Sequence, residues 1–285
     1  MTEQQEQLEI RSLIDTPFEE LVTCLRVSFI DYVVNFQEVP VEYWRKRWDC
    51  AGINYDISFG AFERSSNKLV AFVLLAEGLH EGAKTAFNCA TGVIQQFRGQ
   101  RLVNTIFQHA IPILRQQYQV TKLLLEVVSI NERAVRAYKR VGFNIERTLP
   151  CYKYTGAAAA VAVVQGKDIV KTEGKDVDFG QLAHQLYAPT WEMRLSCLEK
   201  NRDNVECWSV VGSTSYVLVN KAYSNIVHYR FDTRDDGLAL LGAVLASHPS
   251  FKCNHSDERD QLATSVFESV GMEKYLQQYE MEMTI

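Results

Sequence analysis

The sequence has no long run of lysine and arginine, no cysteine pair at metal-ligand spacing and no apolar stretch long enough to cross a bilayer. Each absence excludes a class of function. With 30 Lys and Arg against 35 Asp and Glu, the formal net charge is -5 and the pI about 5.8, so the basic footprint of a nucleic-acid-binding protein is missing. The opening MTEQQEQLEI is acidic and polar, with neither the basic n-region nor the apolar h-region of a secretory signal. The one long run of small residues, Ala157 to Val164, is too short for a span. The cysteines (Cys24, Cys50, Cys89, Cys151, Cys197, Cys207 and Cys253) are odd in number and scattered, as expected of core thiols in a reducing compartment. The six histidines show no ligand spacing, and no Ser-His-Asp set or phosphate-loop lysine stands out. The expectation is a soluble cytoplasmic protein with no metal, no membrane and no nucleic-acid partner.

What is present suits two globular cores. The chain has 285 residues, 47% of them hydrophobic. Leu8 to Leu13 alternates like a strand, and Thr16, Pro17 and Glu19 then read as N-cap, N1 proline and capping-box acid of a helix burying Phe18, Leu21, Val22, Leu25 and Phe29. A second helix starts near Pro40 and carries Trp44 and Trp48. Ile57 to Phe62 and Leu69 to Ala76 predict a hairpin, and Thr85 to Val93 the next strand. A helix from Leu102 to Tyr118, an apolar strand from Lys122 to Val128 and a helix from Asn131 to Val141, closed by Gly142, follow in order.

The pattern loosens after Arg147, and echoes of the first half then appear. Asp176-x-x-Phe179-x-x-Leu182 repeats Asp15-x-x-Phe18-x-x-Leu21, and Ala263-x-x-x-Phe267-x-x-x-Gly271 repeats Ala134-x-x-x-Tyr138-x-x-x-Gly142. Between them lie strand-like runs at Glu206 to Val211, Tyr216 to Val219 and Ile226 to Phe231, and a helix from Gly237 to Ser247. These echoes predict a duplication, with one domain over 1–155 and a second over 156–285.

The stretch GVIQQFRGQRLVNTIFQHAIPILRQQY from Gly92, followed by KLLLEVVSINERAVRAYKRVGF, resembles the acyl-CoA-binding half of the GNAT N-acetyltransferases. The resemblance implies an α/β fold with a mixed sheet, two GNAT-like modules in tandem, and transfer of an acetyl group from acetyl-CoA to a primary amine. The acceptor would be a small-molecule amine or a peptide. It places a pyrophosphate on the amides of the loop Arg98, Gly99, Gln100, Arg101, Leu102 and Val103, at a helix start. The chain departs from the family's Arg/Gln-x-x-Gly-x-Gly/Ala loop at both glycine positions, filled here by Arg101 and Val103. Those departures leave open an alternative, a non-catalytic acyl-CoA-binding or ligand-sensing protein. The resemblance also implies an oxyanion donor in the backbone N–H of Val93 or Ile94, a cofactor contact from Asn131 and a general acid in Tyr138. Asn131 also reads as a plain N-cap. Glu126, a carboxylate interrupting KLLLEVV, reads equally as a base for the amine or as a backbone-bonded strand residue. Cys89 reads as a core cysteine. In the second half the tyrosine position holds Phe267, the Asn131 position holds Asp260, and Arg234-Asp235-Asp236-Gly237-Leu238-Ala239 puts two carboxylates where phosphate would lie.

Overall fold

The computed structural model describes residues 7–32, 35–154, 156 and 166–285. The acidic residues 1–6, the run Ala157 to Val164 and the boundary residue 155 lie outside them. The chain has a mixed α/β fold in two compact units. The first takes the described residues up to Val127 together with Asn131–Glu146 and Glu280–Ile285; the second takes Val128–Ile130 and the described residues of Arg147–Tyr279.

In the first unit β1 (Leu8–Ser12), α1 (Phe18–Ser28), α2 (Val41–Ala51), β2 (Phe59–Glu63), β3 (Leu69–His80) and β4 (Ala83–Val93) are followed by α3 (Leu102–Tyr118), β5 (Lys122–Val128) and α4 (Glu132–Val141). β1 to β4 pair antiparallel in order, and β4 pairs parallel with β5. A parallel pair needs a crossover, and α3 provides it. Both faces of this sheet are covered. Phe72 and Leu74 of β3 pack with Leu21, Leu25, Trp44 and Trp48 of α1 and α2, while the alternate residues Ala71, Val73 and Leu75 are equally buried. Helix α1 starts at Phe18 with Pro17 ahead of it and no side-chain cap, so Thr16 does not cap it as expected.

β6 (Asn144–Tyr154), β7 (Ile169–Glu173), α5 (Leu195–Glu199), β8 (Val205–Val210), β9 (Tyr216–Asn220), β10 (Asn225–Arg230), α6 (Arg234–Ser247), β11 (Phe251–Cys253), α7 (Gln261–Ser269) and β12 (Glu273–Thr284) complete the chain. In the second unit β7 to β10 pair antiparallel in order, α6 crosses over to β11, which is parallel to β10, and β11 pairs antiparallel with β6. The pairing order of the first unit is thus repeated. The counterpart of α1 is not a helix: 3-10 turns stand at Gly174–Asp176 and Phe179–Gln181. There the Asp178 side chain accepts from Gly180 N (3.0 Å), a local turn that competes with helix formation. β12 divides by compactness, residues 273–279 counting with the second unit and 280–284 with the first, beside β5. Ile285 N donates to Thr121 O (2.9 Å) and Lys122 Nζ lies 3.4 Å from Glu282, which fixes that end of the strand.

Candidate functional site

β4 and β5 stay paired only from Thr85/Lys122 to Asn88/Leu125, although β4 continues to Val93. At this point β4 carries a bulge: Leu74 pairs with Ala90 and Leu75 with Asn88, leaving Cys89 as the extra residue. A bulge bends its strand, and the rest of β4 loses contact with β5. Cys89 is therefore a half-buried bulge residue rather than a core one. Ile94 N donates to Val70 O (3.0 Å) within the sheet, so the Ile94 amide is engaged and is not a free donor as expected. Amides alternate in direction along an antiparallel strand, so that of Val93 turns to the edge that β5 has left.

The following loop reaches the start of α3. Arg98 does not offer its charge to an anion there. Its Nη2 donates to Ser28 O (2.7 Å) and Asp31 Oδ1 (2.6 Å), its Nε to Val93 O (3.2 Å), and its Nη1 to Asp31 Oδ2. The guanidinium clamps the end of α1 to the end of β4. Its hydrogen bonds hold the Asp31 carboxyl well down, at about 2. Gly99 has φ +84 and open space around it. Arg101, at the family's first glycine position, adopts φ 59 and ψ 26, the left-handed conformation glycine would take there; for an arginine this costs about 1 kcal/mol. No side chain caps α3. Its first amides, from Leu102, Val103 and Asn104, have no acceptor one turn back and point out of the helix end.

These elements enclose one cavity of about 640 Å³, lined among others by Thr91, Val93, Gly99, Arg101, Val103, Asn131 and Tyr138. Tyr138 on α4 is 8% exposed. Its hydroxyl is hydrogen-bonded to Thr91 and lies 3.4 Å from Asn88 Nδ2. Burial raises its pKa, and the bonds to Thr91 and Asn88 only partly offset this. Asn88 and Thr91 also bond to each other (2.8 Å from Nδ2 to Oγ1). Asn131 caps α4 by accepting from Ala134 N (3.2 Å) and is hydrogen-bonded to Tyr32, another lining residue. Positive charge at the cavity comes from Arg101, Arg133 and Arg140. Glu126 stands one residue beyond the last β4–β5 pair, half-buried, and does not line the cavity; Gln100 and Ile94 do not line it either. Sequence reasoning missed Asn88, Thr91 and Tyr32. Only Asn88 left a signal, as an amide inside the apolar run AFNCA.

The matching helix start in the second unit is built differently. Thr233 caps α6 by accepting from Asp236 N (3.1 Å). Asp236, 2% exposed, accepts from Ser213 and Ser215 (2.9 Å each) and pairs with Lys167 Nζ (2.7 Å). Burial alone would raise its pKa, but these donors hold it below the usual carboxylate range. An anion here would meet a buried negative charge. Gly237 serves packing, since a Cβ there would lie 2.7 Å from Val266. Phe267 is fully buried, with its ring against those of Tyr152, Tyr229 and Phe231.

Among the described residues no helix is long and apolar enough to cross a membrane. Residues 18–143 match the model of the acetyltransferase (GNAT) family. No curated protein sequence matches the chain. Among solved structures, a protein from Pyrococcus horikoshii superposes with TM-score 0.68 at 14% identity, over 98% of this chain and 90% of that one. A GCN5-related N-acetyltransferase from Sphaerobacter thermophilus gives 0.65 at 11% identity, over 98% and 96%. A tandem GNAT protein from the clavulanic acid biosynthesis pathway gives 0.65 at 14% identity, over 97% and 98%. At these identities the likeness is one of fold.

Proposed function

We propose that the first unit is an N-acetyltransferase of the GNAT kind, moving an acetyl group from acetyl-CoA to a primary amine of a small molecule or peptide. One observation carries the reading: a single cavity joins the strand edge that β5 has left, an uncapped helix start and the Tyr138 hydroxyl. The family model spans the same elements.

The residues fit such a donor. The α3 amides from Leu102 to Asn104, with Arg101 beside them, suit a pyrophosphate. The edge of β4 from Thr91 to Val93, which lines the cavity, suits the amides of an extended arm. Bound there, the donor supplies an activated carbonyl on a good leaving group. The Val93 N–H then holds the negative charge that develops on the carbonyl oxygen. Tyr138, kept protonated by burial, donates toward the departing sulfur. Asn88 and Thr91 aim that hydroxyl. Glu126, on β5 just past the splay, is the carboxylate to test as base for the amine: Glu126→Gln should lower kcat and leave donor binding intact. The second unit reads as a repeat whose donor site is closed by Asp236 and Phe267, and the cytoplasm is the compartment that suits the free thiols.

A binding-only reading draws on Val103, whose side chain lines the cavity where the family has glycine or alanine. Titration of acetyl-CoA into the protein, followed by release of CoA thiol with a panel of amines, separates the two. One site per chain with amine-dependent thiol release supports the enzyme. Binding without release at any amine supports the sensor, and no binding at millimolar donor overturns both.

A further inference from the structure

In the second unit three side chains that the transfer reaction does not use form a hydrogen-bonded relay. Ser224 ends the turn between β9 and β10, and its Oγ lies 3.2 Å from His248 Nδ1. The other ring nitrogen, His248 Nε2, lies 2.6 Å from Glu206 Oε1. Glu206 is 2% exposed on β8 and also accepts from Trp208 Nε1 (2.8 Å) and Lys171 Nζ (2.7 Å). Burial opposes its charge, yet the donors from Lys171, His248 and Trp208 hold its pKa below the usual carboxylate range.

The order of donors follows from that charge. An ionised carboxylate only accepts, so Nε2 carries a hydrogen toward it, and in the neutral form of the ring this leaves the Nδ1 lone pair facing the Ser224 hydroxyl. A hydroxyl donating to an imidazole that a carboxylate orients is the arrangement of an activated nucleophile. Two further features agree. Ser224 is a non-glycine residue at φ 47, held in the left-handed region at the end of an exposed turn and itself only half-buried. His248 follows the last residue of α6, its amide bonded to Val244 O (2.8 Å), so positive charge developing on the ring lies at the negative end of the helix dipole.

We propose that Ser224, His248 and Glu206 form a nucleophilic serine site that takes acyl groups from small activated carboxylic esters or thioesters. Ser224 Oγ bonds to the carbonyl carbon while its proton passes to His248 Nδ1. The C–O or C–S bond then breaks, and the departing alcohol or thiol takes that proton, leaving an acyl-serine ester. Water deprotonated by the same nitrogen restores the serine and releases the carboxylic acid. Residues 221–223 of the turn are exposed, so small donors reach Ser224 from solvent.

The test is labelling of the full-length protein with an alkyl fluorophosphonate, read by intact mass and peptide mapping. In this reaction the O–P bond forms and fluoride leaves. One phosphonyl group per chain on Ser224 is expected, absent in Ser224→Ala and formed about 100-fold more slowly in His248→Gln. No adduct on the wild-type protein overturns the proposal, as does an adduct on Ser224 whose rate is unchanged in His248→Gln. A relay that merely pins the turn gives one of these two results.

Discussion

Tyr138 has two properties that pull in one direction: it is enclosed, and its hydroxyl is held by Asn88 and Thr91. Because enclosure raises its pKa, the acid form persists beyond the ordinary tyrosine range, near 10. If the proposed transfer holds, Tyr138→Phe should lower kcat about 100-fold with donor affinity little changed, and the pH–rate profile of the wild-type protein should show no fall below about pH 10 that this substitution removes. Equal turnover in mutant and wild type would take Tyr138 out of the mechanism. Asp31 titrates the other way. Its carboxyl is held at about 2 by Arg98, so the clamp is intact above its unfolded value near 4 and is lost as pH falls through 2. Asp31→Asn should therefore flatten the acid limb of the stability curve, by a small amount because the Asp31 side chain is half exposed. Tyr138 and Asn131 were legible in the sequence because each sits at a fixed offset along one helix. The engagement of the Arg98 side chain is not legible there, since its partners, Ser28 and Asp31, lie far away in the chain. The relay of Ser224, His248 and Glu206 was illegible for the same reason.

At the scale of elements, the splay between β4 and β5 depends on close packing behind it. A Cβ on Gly92 would lie 2.4 Å from Phe72 Cε1 and 2.9 Å from Ser28 Oγ, and Phe72 is fully buried. Gly92→Ala should cost about 1–3 kcal/mol by overpacking, seen as a lower unfolding midpoint, and should shift the Val93 amide with it. Arg101→Gly relieves the left-handed strain at the α3 start, so the midpoint should hold or rise by an amount equivalent to roughly 1 kcal/mol. A fall of several degrees would mean that the arginine side chain holds the loop. Helices and apolar strands were readable because their periods are strong, and Leu102–Tyr118 and Lys122–Val128 stand where the pattern places them. β6 and β12 were not read. EKYLQQYEMEMT mixes polar and apolar residues with neither period sustained, and the strand is specified by its neighbours more than by its own composition.

For the whole molecule, the expected division at residue 155 has a direct test. The first unit includes Glu280–Ile285, with Ile285 bonded to Thr121, Glu282 beside Lys122 and a Cβ on Gly142 only 3.0 Å from Met283 Sδ. A fragment of residues 1–155 should therefore fail to fold cooperatively, and deletion of 280–285 from the full chain should expose the β5 amides to hydrogen exchange ahead of those of β8 and β9. A stably folded 1–155 fragment would show that the first unit does not need those residues. Two short echoes are all that the sequence offers toward the pairing order seen in both units. The return of the chain to its first unit was not, because connectivity between distant strands leaves no mark on local pattern.

That return sets an order of events at the ribosome. When β5 emerges, the strand that lies beside it is still uncoded in the nascent chain, and the whole second unit must be synthesised first. The first unit would then be completed only after the second has been made, with an open edge exposed to chaperones in the meantime. A premature stop codon anywhere between β5 and residue 280 would silence the first unit together with the second.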